Sequence, residues 1–406
     1  MNILILNTAF SGGGAEKVTR QLGKIMQDRG HNVYTIVGYN KGPVLQNGVK
    51  IIYDGLAMRI LNRLITGNHS NTTQSLKYSL AIIKKYIKKY RIDVVHVNNI
   101  HGNYLGINDL EKISKICPIV WTIHDFWSFT GHCAYTYGCE RWKKMCGNCP
   151  HLEVYPAVRR DVTGLLLEDK KNHLCNKGIK FVAPSKWLYQ QMKKSIYRSE
   201  DISVIYNSLD LNIWKKKEKN AIRNKYGIDG SKIILAFVAA SISEPRKGMK
   251  YLVDALEKIE RPERFLLIVA GNGDMTEIQI LKKKFTIINF GYISDEIMMN
   301  EFYALADYYV NPSVDDIFGL VNIESLASGT PIIAFDICAI REIVDMQSGI
   351  IINKISSEGL KDAIESLEKF NIAEPKLLEQ FNQNEMGKQY EILYNRAIAE
   401  WEENLE

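Results

Sequence analysis

Short apolar runs alternate along this chain with segments whose apolar residues recur at helical spacing. Residues 2–6 form the first run, and Ser11-Gly12-Gly13-Gly14 follows as a turn. Helical spacing then extends over residues 15–29, Gly30-His31 stops it, and residues 33–37 give a second strand. The pattern predicts a βαβ opening. Further helix–strand units fall at 76–90 with 93–97 and at 109–116 with 119–123, and another strand at 179–183. After a break near 205–214 the alternation restarts. Strands are expected at 232–239, 265–270, 287–290, 308–310 and 331–335, and helices at 248–257, 295–304 and 318–328. Two rounds of this alternation predict an α/β protein with two Rossmann-like, doubly wound parallel sheets. The expected domains are 1–205 and 206–384, followed by an amphipathic helix within 385–406.

A chain of 406 residues suits two domains of ordinary size. No apolar run approaches the ~20 residues that span a bilayer. The first residues read as a buried strand rather than a signal peptide, which places the protein in the cytoplasm. The net charge of +6 is unevenly spread: residues 1–200 carry 29 Lys+Arg and 13 Asp+Glu, or +16, leaving −10 for the remainder. The segment 76–91 sets Lys77, Lys84, Lys85, Lys88, Lys89 and Arg91 beside Leu76, Leu80, Ile83 and Ile87. Such a helix either lies peripherally on an anionic membrane surface or packs on the sheet with a solvated basic face. Nucleic acid is not an expected partner, because aromatic residues are not interleaved with the basic stretches.

Several positions carry candidate chemistry. Gly13 and Gly14 open the first helix, where a glycine turn and free N–H groups suit a phosphate or a sugar hydroxyl, although the spacing is not that of a dinucleotide fingerprint. Arg246-Lys247-Gly248 places two cations at another helix start, suited to a diphosphate. In the segment 311–331, Asp316 stands on a loop and Glu324 eight residues later on a helix. The loop carboxylate could reach a sugar, the helix carboxylate could hold both hydroxyls of a ribose, and the N–H groups of Gly319 and Leu320 are available to phosphate. His124 ends the apolar strand 119–123, where α/β sheets present ligand groups.

The segment Phe318-Gly319-Leu320…Glu324…Ala327-Ser328-Gly329-Thr330-Pro331 resembles the signature of glycosyltransferase family four. That resemblance covers nearly the whole chain. It implies the GT-B fold: two Rossmann-like domains facing across a cleft, with the C-terminal helix crossing back to the first domain. It also implies a retaining transfer of a hexose-type sugar from a nucleotide-sugar, UDP- or GDP-linked, to a glycan or polyprenyl-diphosphate-linked acceptor in surface polysaccharide synthesis. The first domain would bind the acceptor and the second the donor. His124, Asp316, Arg246 and Lys247 take the catalytic roles, and His124 hydrogen-bonds the donor sugar. Gly13, Gly14, Gly271, Asn272, Tyr292, Gly319, Leu320 and Glu324 take the donor-binding roles. No cofactor and no catalytic metal are implied. The chain departs from the family pattern in carrying Asp316 where Glu is usual and Ile242 where an arginine is usual; Arg246 is the expected substitute cation. The alternatives are a catalytically impaired nucleotide-sugar-binding homologue and a nucleotide-sugar epimerase of the same architecture.

Cys133, Cys139, Cys146 and Cys149 cluster in a loop spanning 131–150. Their spacing, with one Cys-x-x-Cys, fits a structural tetrahedral zinc; disulfides and unliganded thiols are the other readings. The loop resembles an insertion of exopolysaccharide enzymes of the colanic-acid type.

Overall fold

The computed structural model describes residues 1–40, 48–55, 58–60, 77–367 and 376–405. Contacts divide it into two units, Met1–Tyr206 with Asn384–Glu406, and Asn207–Gln383. In the first unit the strands are β1 (Asn2–Ala9), β2 (Asn32–Tyr39), β3 (Val49–Ile51), β4 (Val94–Val97), β5 (Ile119–Thr122), β6 (Lys180–Ala183) and β7 (Ile202–Val204). They pair in parallel in the order β3-β2-β1-β4-β5-β6-β7. Ile3 to Leu6, Val94, Val95 and Val97 are buried, as strands covered on both faces require. The order reverses between β1 and β4. That point is a topological switch, where the ends of the strands open a crevice.

The second unit holds β8 (Ile233–Ser241), β9 (Phe265–Asn272), β10 (Thr286–Asn289), β11 (Tyr308–Asn311), β12 (Ile332–Phe335) and β13 (Gly349–Ile352). Its parallel order is β10-β9-β8-β11-β12-β13, with the switch between β8 and β11. Leu235, Phe237, Leu267, Val269, Val310, Ile333 and Phe335 build one core with Leu252 and Leu256 of the helix Met249–Glu257.

The C-terminal helix Gln383–Glu403 packs on the first unit, fastened by polar contacts as well as apolar ones. Tyr394 Oη lies 2.8 Å from His96 Nδ1, and Tyr390 Oη 2.7 Å from Thr122 Oγ1, all four groups buried. Glu391 meets Arg29 and His31 at the rim, and Lys180 bonds Asp201 and Glu400.

The basic helix, Lys77–Tyr90, spends its apolar side on the sheet. Ile83 is buried, Ser79 bonds Tyr53 at 2.9 Å, and Tyr90 stacks on Tyr34 at 4.2 Å. Lys84, Lys85, Lys88 and Lys89 face solvent. Its buried face is therefore not available to a bilayer. Leu76 and the Lys77 side chain lie outside the described residues. Among the described residues no helix is long and apolar enough to cross a membrane.

Candidate active site

In the second unit the loops leaving β8, β9 and β11 meet at the carboxyl edge of the sheet. Two glycines make the approach close enough. Gly248 has φ +72°, and a Cβ there would stand 1.8 Å from Pro312 O. Gly271 has φ +148°, and its Cβ would stand 2.0 Å from Ala239 O. Only a residue without a side chain satisfies both demands at each position. The Arg246 carbonyl accepts from Val314 N at 2.8 Å, which pins the Arg-Lys-Gly turn to the loop after β11.

That pinning brings Lys247 Nζ within 2.6 Å of Asp316 Oδ2. Burial pushes the Asp316 carboxyl up, but the charges of Lys247 and Arg246 outweigh it and hold it below its ordinary value. The pair is thus an ionised carboxylate and an ammonium, both largely shielded from water. The Arg246 guanidinium lies 3.4 Å from Asp315 O and 3.7 Å from Glu244 Oε1.

The helix Leu320–Ala327 begins at the Gly319 cap and carries Glu324, which is buried. Asn311 and Asn322 fix the start of that helix: Asn311 Nδ2 donates to Asn322 Oδ1 at 2.8 Å, and Ser313 Oγ donates to Asn311 Oδ1 at 2.6 Å. Asp316, Phe318, Asn311 and Asn322 line one small hollow. On the neighbouring loops, Gly271 N donates to Gly291 O and Ile242 N to Asn272 O, while Tyr292 stands half exposed. Two cations, a carboxylate and a helix start therefore gather at one switch point, an arrangement whose chemistry suits a diphosphate.

In the first unit the switch point is stitched by side chains. Thr8 Oγ1 donates to His101 O at 2.6 Å, and Asn99 N donates to Asn7 Oδ1 at 3.0 Å. His124 follows β5 and donates from Nε2 to Asn98 Oδ1 at 2.8 Å. Burial lowers the His124 pKa to about 4 and that of His96 to about 3, so both rings are neutral near pH 7. Asp125 accepts from His101 Nε2 at 2.9 Å and from Trp127 N at 2.9 Å. Burial would raise its carboxyl, but His101 and these hydrogen bonds hold it below its ordinary value.

Two models of known families match the chain: "Glycosyltransferase Family 4" over residues 12–213 and "Glycosyl transferases group 1" over 232–369. The chain belongs to glycosyltransferase family four. A putative colanic acid biosynthesis glycosyl transferase of Escherichia coli, WcaC, is 27% identical over 379 residues, covering 86% of each chain. The O-antigen chain mannosyltransferase RfbU of Salmonella typhimurium is 26% identical over 344 residues, covering 75% of this chain and 89% of its own. Among solved structures, a sucrose-phosphate synthase of Thermosynechococcus elongatus superposes with a TM-score of 0.73 at 18% identity, covering 98% of this chain and 99% of its own. Anabaena HepE in complex with UDP gives 0.67 at 17%, covering 98% and 100%.

For this family-four glycosyltransferase, the positions expected to act fall on both units. Arg246, Lys247, Gly271, Asn272, Tyr292, Asp316, Gly319, Leu320 and Glu324 lie in the second unit, and Gly13, Gly14 and His124 in the first. The glycine turn is not an open phosphate cradle. Glu16 Oε2 accepts from Gly13 N at 2.8 Å and so occupies the helix start. A ligand anion at that N–H would have to displace a carboxylate of the chain's own.

The cysteine loop also departs from expectation. All four thiols are free, and among the described residues no group of three or more His, Cys, Asp or Glu side chains is gathered to hold a metal ion. The expected structural zinc therefore lacks a ligand set. Burial pushes the Cys133 thiol up to about 12 and raises Cys146 as well, keeping them neutral. Cys149 Sγ faces His132 Nε2 at 3.5 Å, and Cys146 Sγ accepts from Gly131 N at 3.2 Å. The loop is held instead by Lys170, a buried ammonium donating to the carbonyls of Trp127, Thr130 and Gly131. Its pKa, lowered by burial to about 7, records the cost of that position.

His101, Asn98 and Tyr155 were not among the expected site residues. The only trace in the sequence is their chemical type near a strand end; their convergence depends on the loop after residue 124 folding back.

Proposed function

We propose that this glycosyltransferase transfers a hexose-type sugar from a nucleotide-sugar with retention of configuration, in the assembly of a surface polysaccharide. The observation that carries the reading is the Lys247–Asp316 pair at the β8/β11 switch, beside the Gly319 helix start and Glu324. As the sugar leaves, charge develops on the diphosphate, and Arg246, Lys247 and the helix N-terminus offset it without reorganising. Those cations can do this without a divalent metal, so EDTA-treated enzyme should keep its turnover. Glu324 takes the ribose diol, and the Gly271-Asn272-Gly273 and Gly291-Tyr292 turns frame the nucleotide. The second unit is thus the donor domain, and the first presents the acceptor. HepE with UDP supports a nucleotide donor, and the names of WcaC and RfbU support a bacterial surface glycan as the product.

A thermal-shift panel of UDP-, GDP- and ADP-sugars tests the donor, with Glu324→Ala as the discriminating variant. The expected result is a shift with one nucleotide class that the variant loses, together with most turnover. Near-wild-type turnover in Glu324→Ala would refute the assignment. Asp316 in place of Glu and Ile242 in place of Arg favour one rival, an impaired sugar-nucleotide binder; donor hydrolysis by the wild type excludes it.

A further inference from the structure

Asn311, Ser313 and Asn322, all buried, form a hydrogen-bonded chain beside the loop that carries Asp316. A backbone N–H can only donate, and Ser313 N donates to Asn311 Oδ1 at 3.3 Å. That bond fixes which way the Asn311 amide faces, so its Nδ2 is the atom turned to Asn322. An amide nitrogen also only donates, so the Asn322 atom that meets it at 2.8 Å is the carbonyl Oδ1. The Asn322 amide is thereby held in one orientation, with its Oδ1 engaged. Among the described residues its Nδ2 has no hydrogen-bond partner, although Asn322 is only 3% exposed. An unpaired donor at such a depth is costly, and a native site that keeps one points to a ligand or a water.

Gly319 shows where this donor stands. A Cβ built on Gly319 would lie 2.5 Å from Asn322 Nδ2 and 3.8 Å from Asp316 Oδ2. The space that the glycine leaves open is thus flanked by an amide donor and a carboxylate. The same two residues line the small hollow with Asn311 and Phe318, which has room for one small polar group rather than a ring. Asp316 is held ionised by Lys247 and Arg246. A hydroxyl entering there satisfies both neighbours, accepting from the amide and donating to the carboxylate. A phosphate oxygen does not, because it has no proton to give and its charge faces that of Asp316.

We infer that Asn322 is a specificity-determining residue of the donor site, donating through Nδ2 to one hydroxyl of the sugar to be transferred, whose proton is directed to Asp316. This rests on the donor reading above. Asn311 and Ser313 act through Asn322 and are positioning residues.

Isothermal titration of the full chain with UDP, GDP, UDP-glucose, UDP-galactose and GDP-mannose tests this. Asn322→Asp keeps the side-chain shape and an oxygen facing Asn311, and exchanges only the free amino group for an acceptor. An acidic residue suits the first turn of a helix, so the fold should persist, with an unchanged thermal midpoint as the check. Asn322→Ala is the second variant and adds no charge. At least one sugar conjugate should bind the wild type. Both variants should weaken it roughly tenfold, while the parent nucleotide changes less than twofold. Asn311→Ala, which frees the Asn322 amide to turn, should lose part of the same conjugate-specific affinity. Unchanged conjugate affinity in both Asn322 variants overturns the inference and leaves the donor reading standing. So does an equal loss for nucleotide and conjugate, which marks a structural role. If no nucleotide and no conjugate binds the wild type, the donor reading fails and the inference falls with it.

Discussion

Acidification should unfasten the first unit well before its carboxylates protonate. His96 and His124 are buried, with pKa values lowered by burial to about 3 and about 4. In the unfolded chain each titrates near ~6.5. Between roughly pH 4 and 6.5 the unfolded chain therefore binds more protons than the folded one. The contribution of these two rings is complete above ~6.5 and is lost as pH falls toward the folded values. At pH 5 an unfolded histidine gains about 2 kcal/mol from protonation, and the folded rings gain almost none, so the pair lowers stability by about 4 kcal/mol relative to pH 7. His132, lowered mainly by burial, acts in the same direction.

Urea titration followed by tryptophan fluorescence reads this, because of six tryptophans only Trp214 lies outside the first unit. The extrapolated unfolding free energy should fall by several kcal/mol between pH 7 and 5. In His96→Gln the loss should shrink by about 2 kcal/mol, whatever the variant costs at pH 7. A change below about 1 kcal/mol between the two pH values, or the same change in wild type and His96→Gln, would refute the burial argument.

Two further outcomes follow from the second unit. Gly248→Ala meets Pro312 O at 1.8 Å and needs φ +72°, so it should cost at least about 2 kcal/mol, lower the melting midpoint by roughly 4–8 °C, and weaken nucleotide-sugar binding. Calorimetry and titration with the donor check both. Lys247→Ala removes the ammonium at 2.6 Å from Asp316 and should lower kcat/KM by roughly 10²–10³-fold with the fold intact, measured as released nucleotide; a loss under threefold would separate Lys247 from the diphosphate.

The alternation of apolar runs with helical periods carried the architecture, because strands buried on both faces must be apolar throughout, as Ile3–Leu6 and Ile332–Phe335 are. The same periodicity left β3, β7 and β13 unread. They run three or four residues, stand at or near sheet edges and are only half buried, too short to show a period. The helix Thr163–Leu174 gives no such signal either; it carries little amphipathic contrast because Lys170 sits on its buried side.

At the site, local pattern marks which residues can act: Arg246-Lys247-Gly248, Asp316 and Glu324 are legible because their spacing around glycines and helix starts has a chemical reason. Which of them meet, and across what distance, is a matter of tertiary structure. It joined Lys247 to Asp316 across 69 residues, placed Glu16 on the Gly13 N–H, and left the four cysteines as thiols. It also brought Tyr155 to His101 across 54 residues. Local pattern records what a segment of chain can bury and present. Pairings between distant groups depend on where loops return, and a loop's course is set by contacts such as the Lys170 clamp, which no local period encodes.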